Sequence, residues 1–234
     1  MTIAALVALV ILVGLGNWQM RRLAWKETLI AQVNARVELP PAPLAEVLGQ
    51  GMPDDITYTP AIVSGVFDHA REIHLFGQNL DGFAGYFIYT PLMRDGDPTV
   101  IVNRGFVPVP LKDPAARPEG QVEGHVTLTG LVRAPRTGNA FQPQNDADRN
   151  EWFTANLDEM ASHLGEVHVV PVFVDAGAAS NPGRWPQGGQ TRISFRNNHL
   201  GYALTWYGLA VTLLGVYIAV HIGAGRMGFN RRKA

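Results

Sequence analysis

From Leu200 to Ile222 the chain is almost wholly apolar, interrupted mainly by Thr205, Thr212 and His221. That length matches the roughly 20 residues a helix needs to cross ~30 Å of hydrocarbon. Tyr202, Trp206 and Tyr207 crowd its beginning, where amphipathic rings favour the boundary between membrane and water. Arg226, Arg231, Arg232 and Lys233 follow its end, and basic residues beside a membrane end resist translocation. Residues 199–223 are therefore predicted to form a transmembrane helix and 224–234 a basic cytoplasmic tail. Everything immediately before the helix is then expected outside.

A second apolar segment, Thr2 to Gly16, is somewhat short and approaches the required length only by including Asn17, Trp18, Gln19 and Met20. Residues 1–20 are read as a first transmembrane helix. The competing reading is a cleaved signal peptide, with Gly14 and Gly16 as a small-x-small site, but the basic n-region of such a peptide is missing. The same gap raises the expectation that the native chain starts upstream of Met1 or was trimmed. Arg21, Arg22 and Lys26 lie on the side read as external; long translocated domains often ignore such charges, and the C-terminal cluster is the cleaner signal.

At 234 residues and 47% hydrophobic, the chain is long enough for one substantial domain plus its membrane anchors. A net charge of −1 gives no sequence-wide attraction to nucleic acid, and no nucleic-acid-reading motif occurs. With no cysteine, a disulfide framework, a CxxC redox site and thiolate metal sites are excluded.

Leu29, Val33 and Val37, with Trp18 and Trp25 before them, recur at approximately helical spacing, so the first helix is expected to continue as an amphipathic stalk over 21–39, packed on the domain. Pro40 and Pro41 stop it. Residues 40–57 read as a Pro- and Gly-bearing linker with one short helix around Leu44 to Leu48. From 58 to 198 the pattern changes to a β-rich domain. Short β-branched and aromatic runs, Ala61 to Phe67, Glu72 to Phe76, Tyr86 to Met93, Thr99 to Val107, Val122 to Ala134 and Val167 to Asp175, predict strands. Asp95-Gly96-Asp97 is a hairpin turn, which makes its two strands antiparallel. Asn156 to Leu164 is an internal helix capped by Asn156 or Asp158. The fold class that follows is two transmembrane helices flanking a β-rich α+β extracytoplasmic domain, its sheet an antiparallel barrel, with a sandwich as the alternative. No βαβ alternation and no repeat is visible.

Seven histidines raise a metal hypothesis, but their spacing gives it little support. His69 and His74 would point to opposite faces of a regular strand, and His125, His163 and His168 form no HxH or HxxxH. Each reads as a surface or hydrogen-bonded histidine. His199 and His221 bracket the second membrane helix, roughly 33 Å apart at about 1.5 Å per residue, and cannot share a metal. His221 is an interfacial residue, whereas His199 has Tyr202 and Trp206 at i+3 and i+7 on one helix face. An imidazole beside two rings at a membrane boundary can hold a haem; it can equally be a helix anchor. Asn103-Arg104-Gly105 is read as ending a strand where Arg104 could meet an anion, with no catalytic motif beside it. Asp146 and Asp148 read as turn formers rather than a catalytic pair. No enzyme is indicated. The Gly177 to Gln190 loop, with Trp185, Gly188, Gly189 and Gln190, is a candidate partner contact or a plain tether.

Several strings, in order along the chain, resemble the surfeit-locus family of cytochrome c oxidase assembly factors. They are Gly16-x-Trp18-Gln19-x-x-Arg22-x-x-Trp25-Lys26, Gly65-x-Phe67, Tyr89-Thr90-Pro91-Leu92 and Val102-Asn103-Arg104-Gly105-Phe106-Val107-Pro108. Asn150-x-Trp152-Phe153, Trp185-Pro186-x-Gly188-Gly189-Gln190-Thr191-Arg192 and Asn197-Asn198-His199-Leu200-x-Tyr202-Ala203-x-Thr205-Trp206-Tyr207-Gly208 complete the match. The departures are Arg184, Phe106 and Gly201, where the family often has Gly, Trp and Gln.

The resemblance implies a role in maturing oxidase subunit I, with haem a synthase as a further candidate partner. It places the chain in a bacterial inner membrane or its mitochondrial equivalent, with the domain periplasmic in the bacterial case, which the lack of an Arg-rich transit segment favours. It also implies transient binding of haem a, with His199 as the iron ligand and Tyr202 and Trp206 cushioning the macrocycle. The alternative it leaves open is a haem-free scaffold that holds an assembly intermediate of subunit I. Arg104 and Arg192 are expected to form structural salt bridges, with neutralisation of haem propionates as the other option.

Overall fold

A computed structural model of the chain describes residues 2–139, 141–166, 168–179, 181–193, 195 and 197–226. Met1, the start of the predicted strand at Val167 and the basic tail after Arg226 lie outside the described residues. Contacts divide the chain into two units, Val33–Ile193 and the pair of segments Met1–Gln32 and Ser194–Ala234.

The second of these is a helix pair. Helix α1 runs Thr2–Val37 without a break and α4 spans His199–Gly223. Both are long and apolar enough to cross a membrane. In the stalk portion Trp18 and Trp25 stay about half exposed, the latter with the Arg22 guanidinium 4.4 Å from its ring centroid. Of the remaining members of the expected apolar stripe, Val33 is buried in the domain unit, and Leu29 and Val37 are half-buried.

The domain is a mixed sheet of order β1-β2-β6-β7-β5-β4-β3, in which β2 also pairs with β4 and so closes the ring β2-β6-β7-β5-β4. Its strands are β1 (Ala42–Pro43), β2 (Pro60–Phe67), β3 (Ile73–Gln78), β4 (Ala84–Arg94), β5 (Asp97–Pro108), β6 (His125–Arg133) and β7 (Val169–Ala176). Helices α2 (Leu44–Leu48) and α3 (Leu157–Leu164) complete it. The Asp95-Gly96 hairpin joins β4 to β5 antiparallel as expected, with Gly96 at φ +76. Two pairings are parallel instead, β1 with β2 and β5 with β7. The β5–β7 pair is buried on both faces, and its near-continuous apolar runs reflect that. Val100, Val102, Val172 and Val174 point into the barrel core, while Ile101 and Phe173 point to a second core beneath α3.

Residues 40–57 are not a free linker. Leu44, Val47 and Ile56 are buried in the barrel core, and β1 adds to the edge of β2. Local turn residues gave the appearance of a connection, but the apolar residues between them are used as a plug. Helix α3 is capped as its sequence requires. The Asn156 side chain accepts from the amides of Asp158 and Glu159, and Gly165 at φ +68 ends the helix. Leu157, Met160, Ala161 and Leu164 form its buried face, against Trp152 and Phe173. Asn150 ties that layer to β3. Its Oδ1 accepts from the amide of His74 at 3.2 Å and from Trp152 Nε1 at 3.0 Å, and its Nδ2 donates to the Glu72 carbonyl at 2.8 Å.

Candidate functional site

Among the described residues, three side-chain hydrogen bonds tie the helix pair. Tyr217 hydroxyl lies 3.1 Å from Thr2 Oγ1, Tyr207 hydroxyl donates to Asn17 Oδ1 at 2.7 Å, and His199 Nδ1 donates to Gln19 Oε1 at 2.7 Å. Gly16 permits the approach, since a Cβ there would lie 2.5 Å from the Tyr207 ring. Polar residues in apolar helices are costly and mark function or packing specificity. Gln19 is only 8% exposed, so its amide is committed to this contact.

The consequence for His199 is chemical. An amide oxygen only accepts, so in this orientation Nδ1 carries the ring hydrogen and Nε2 presents its lone pair. Among the described residues Nε2 has no hydrogen-bond partner. This is the second-sphere pattern of ligating histidines, whose other nitrogen donates to a carbonyl or carboxylate. Tyr202 (56% exposed) and the half-buried Trp206 follow within two turns of α4 on the same side. The three residues predicted for the cofactor therefore share a face, and the residue that sequence reasoning missed is Gln19. Its signal was present, a polar side chain inside an apolar segment, but its partner could not be read from spacing.

The other candidates fall in the domain. Asn103-Arg104-Gly105 does not end a strand. It forms a bulge inside β5, where Ile88 pairs with Gly105 and Tyr89 with Asn103, so Arg104 has no partner on β4. Gly105 sits at φ +122, and a Cβ there would lie 2.0 Å from the Gln187 carbonyl oxygen. The bulge thus seats the 177–190 segment, which pairs Gln187 with Phe106 through two 2.9 Å backbone hydrogen bonds. Gly188 lies against the Gly177 carbonyl, Gly189 takes φ +70, and Gln190 Oε1 accepts from the amide of Leu80 at 3.1 Å. Trp185, Gly188, Gly189 and Gln190 are all half-buried, so this segment is a strap fastened to the barrel.

Asp175, buried at the end of β7, accepts from Asn103 Nδ2 at 3.0 Å and from Thr191 hydroxyl at 2.8 Å, with Arg133 Nε at 3.6 Å. Burial pushes its carboxyl up, against the opposing pull of these neighbours. Arg104 and Arg192 make no salt bridge among the described residues, contrary to expectation. Arg192 is exposed, and Arg104 is buried against carbonyl, imidazole and ring. His74 is buried and paired to Glu72 at 2.8 Å, while His125, His163 and His168 are exposed. Asp146 Oδ1 accepts from the amide of Arg149 at 3.2 Å, a turn contact. No group of three or more His, Asp or Glu positioned for a metal ion occurs among the described residues.

A profile described as the SURF1 family matches residues 6–211. "Surfeit locus protein 1" of Homo sapiens is 37% identical over 214 residues, covering 84% of this chain and 69% of that protein. The Takifugu rubripes protein of the same name is 33% identical over 225 residues, covering 89% of this chain and 92% of its own. A "SURF1-like protein" of Monosiga brevicollis is 36% identical over 237 residues, with coverages of 95% and 86%.

Proposed function

Because the chain belongs to the SURF1 family, known as cytochrome c oxidase assembly factors, we propose that it binds haem a at the outer membrane boundary and assists its insertion into oxidase subunit I. The observation that carries this reading is the His199–Gln19 pair. Gln19 holds the ring hydrogen on Nδ1, which leaves Nε2 free to face an iron, and Tyr202 and Trp206 offer apolar and aromatic surface beside it. The cargo supplies the redox-active iron that the oxidase needs; the chain's own part is to hold, orient and release. A single imidazole suits release, because a carrier must bind more weakly than the acceptor it loads. Haem a synthase is the donor in this scheme, the membrane a bacterial inner membrane, the domain periplasmic and the C-terminus cytoplasmic.

The test is the visible absorption of the full chain purified from membranes that make haem a, with His199→Ala and Gln19→Leu alongside. Wild type is expected to carry a haem a band that His199→Ala abolishes. Gln19→Leu, which frees the ring to turn, is expected to weaken haem affinity about 10- to 100-fold. Haem-free wild type, or a band indifferent to both variants, would replace this reading with that of a haem-free scaffold for subunit I.

A further inference from the structure

Arg104 is a buried cation with no ion-pair partner among the described residues. It is 2% exposed and meets the Gly120 carbonyl, His69 Nδ1 at 3.3 Å and the Phe67 ring, 4.8 Å from the guanidinium carbon to the centroid. His69 cannot balance it. Its Nδ1 accepts from Arg104 while its Nε2 donates to the Val122 carbonyl at 2.9 Å, so the imidazole is neutral. Glu72 acts on it only through its charge, forming no ion pair with it, and that same carboxylate is already in contact with Arg117 and His74. Burying a lone charge is expensive, and folded chains ordinarily pair it.

Arg104 also lines a cleft of ≈ 630 Å³, whose wall is otherwise largely apolar, with Phe67, Val122, Val126, Leu128 and Ala179. The opening has a topological cause. Strand β7 pairs with β6 only from Gly130 to Arg133, and Gly177 donates to Thr129 before the chain leaves as the strap. Among the described residues, His125 to Leu128 of β6 consequently have a strand partner on the β2 side alone, and a seam remains in the barrel wall. A volume of this size, apolar with one convergent charge, is that of a small-molecule site.

We propose that this seam binds a small amphipathic monocarboxylate, its apolar body between β6 and the strap and its carboxylate on Arg104. Arg104 is the single cation in the described lining, which selects a single negative charge, and a charge-assisted hydrogen bond to a buried guanidinium is strong. The site lies wholly within the domain and does not depend on haem binding at His199.

The experiment uses the full chain in non-ionic detergent and compares 4-phenylbutyrate with the neutral 4-phenylbutan-1-ol by isothermal titration calorimetry. The acid is expected to bind saturably at one site, roughly tenfold tighter than the alcohol. Arg104→Gln should erase that preference. Ala179→Trp, a change at an exposed rim position, should abolish saturable binding with thermal unfolding unchanged. If Arg104→Gln does not fold, the acid-alcohol comparison and Ala179→Trp decide. No saturable binding, equal affinity for acid and alcohol, or unaltered binding in folded Ala179→Trp overturns the proposal.

Discussion

At the residue scale the domain's most demanding feature is the buried trio Glu72, His74 and Arg117. The Glu72 and Arg117 side chains are only 3% and 2% exposed and in direct contact, with His74 Nε2 2.8 Å from the same carboxylate oxygen. Burial alone would push the Glu72 carboxyl up, but hydrogen bonds from His74 and Arg117 and the charge of Arg117 outweigh it. The result lies below the ordinary value of 4.5. A carboxylate depressed in the folded state stabilises above its unfolded pKa, and that contribution is lost as pH falls through the folded value. Acidification below about 4.5 should therefore weaken the domain progressively. Arg117→Met should cost about 3–5 kcal/mol at pH 7, because it strands a buried carboxylate, and adding Glu72→Gln should recover part of that loss. Urea unfolding at pH 7 and pH 4, followed by tryptophan fluorescence, checks both statements. A double variant no more stable than Arg117→Met would show that the pair is not what Arg117 supports.

At the scale of elements, the β5 bulge and the strap depend on each other. The motif Asn103-Arg104-Gly105 and the run from Trp185 to Gln190 read as separate strings, yet Gly105 exists in its positive-φ state where the Gln187 carbonyl crosses it. Gly105→Ala should lower domain stability by more than ~2 kcal/mol, through backbone strain and the clash with Gln187, and should open the strap to proteolysis between Gly177 and Gln190. Gly208→Ala is the control. That glycine is helical and has nothing within 4 Å of the position a Cβ would take, so the change should be neutral or slightly stabilising. Equal effects of the two substitutions would remove the bulge-strap coupling.

For the whole molecule, the architecture of two apolar helices flanking a closed sheet makes a definite statement about sidedness once the basic tail is assigned to the cytoplasm. The chain has no cysteine, so single cysteines report cleanly. Asp148→Cys, exposed in the domain, should react with a membrane-impermeant maleimide on spheroplasts, and Ala224→Cys, just past α4, only after lysis. The reverse pattern would invert the topology and move the His199 end of α4 to the cytoplasmic side.

What the sequence determined by itself was local in origin. Hydropathy marked α4 and the first part of α1, alternation and turn residues marked six of the seven strands, and a capping Asn156 or Asp158 marked the start of α3, because period and capping depend on neighbours a few positions away. The faces of α4 were legible in the same way, which is why His199, Tyr202 and Trp206 could be grouped. Tertiary structure decided the rest. Closure through β2 and β4, the parallel β5–β7 pair and the use of residues 40–57 as core follow from which apolar faces meet, and periodicity does not encode that. Gln19 reaches His199 across 180 positions, and Arg104 gained its solitary burial from a bulge and a seam that no single segment contains. The polar chemistry of this chain is set by such long-range contacts, since a buried polar group must find its partner wherever the fold brings one.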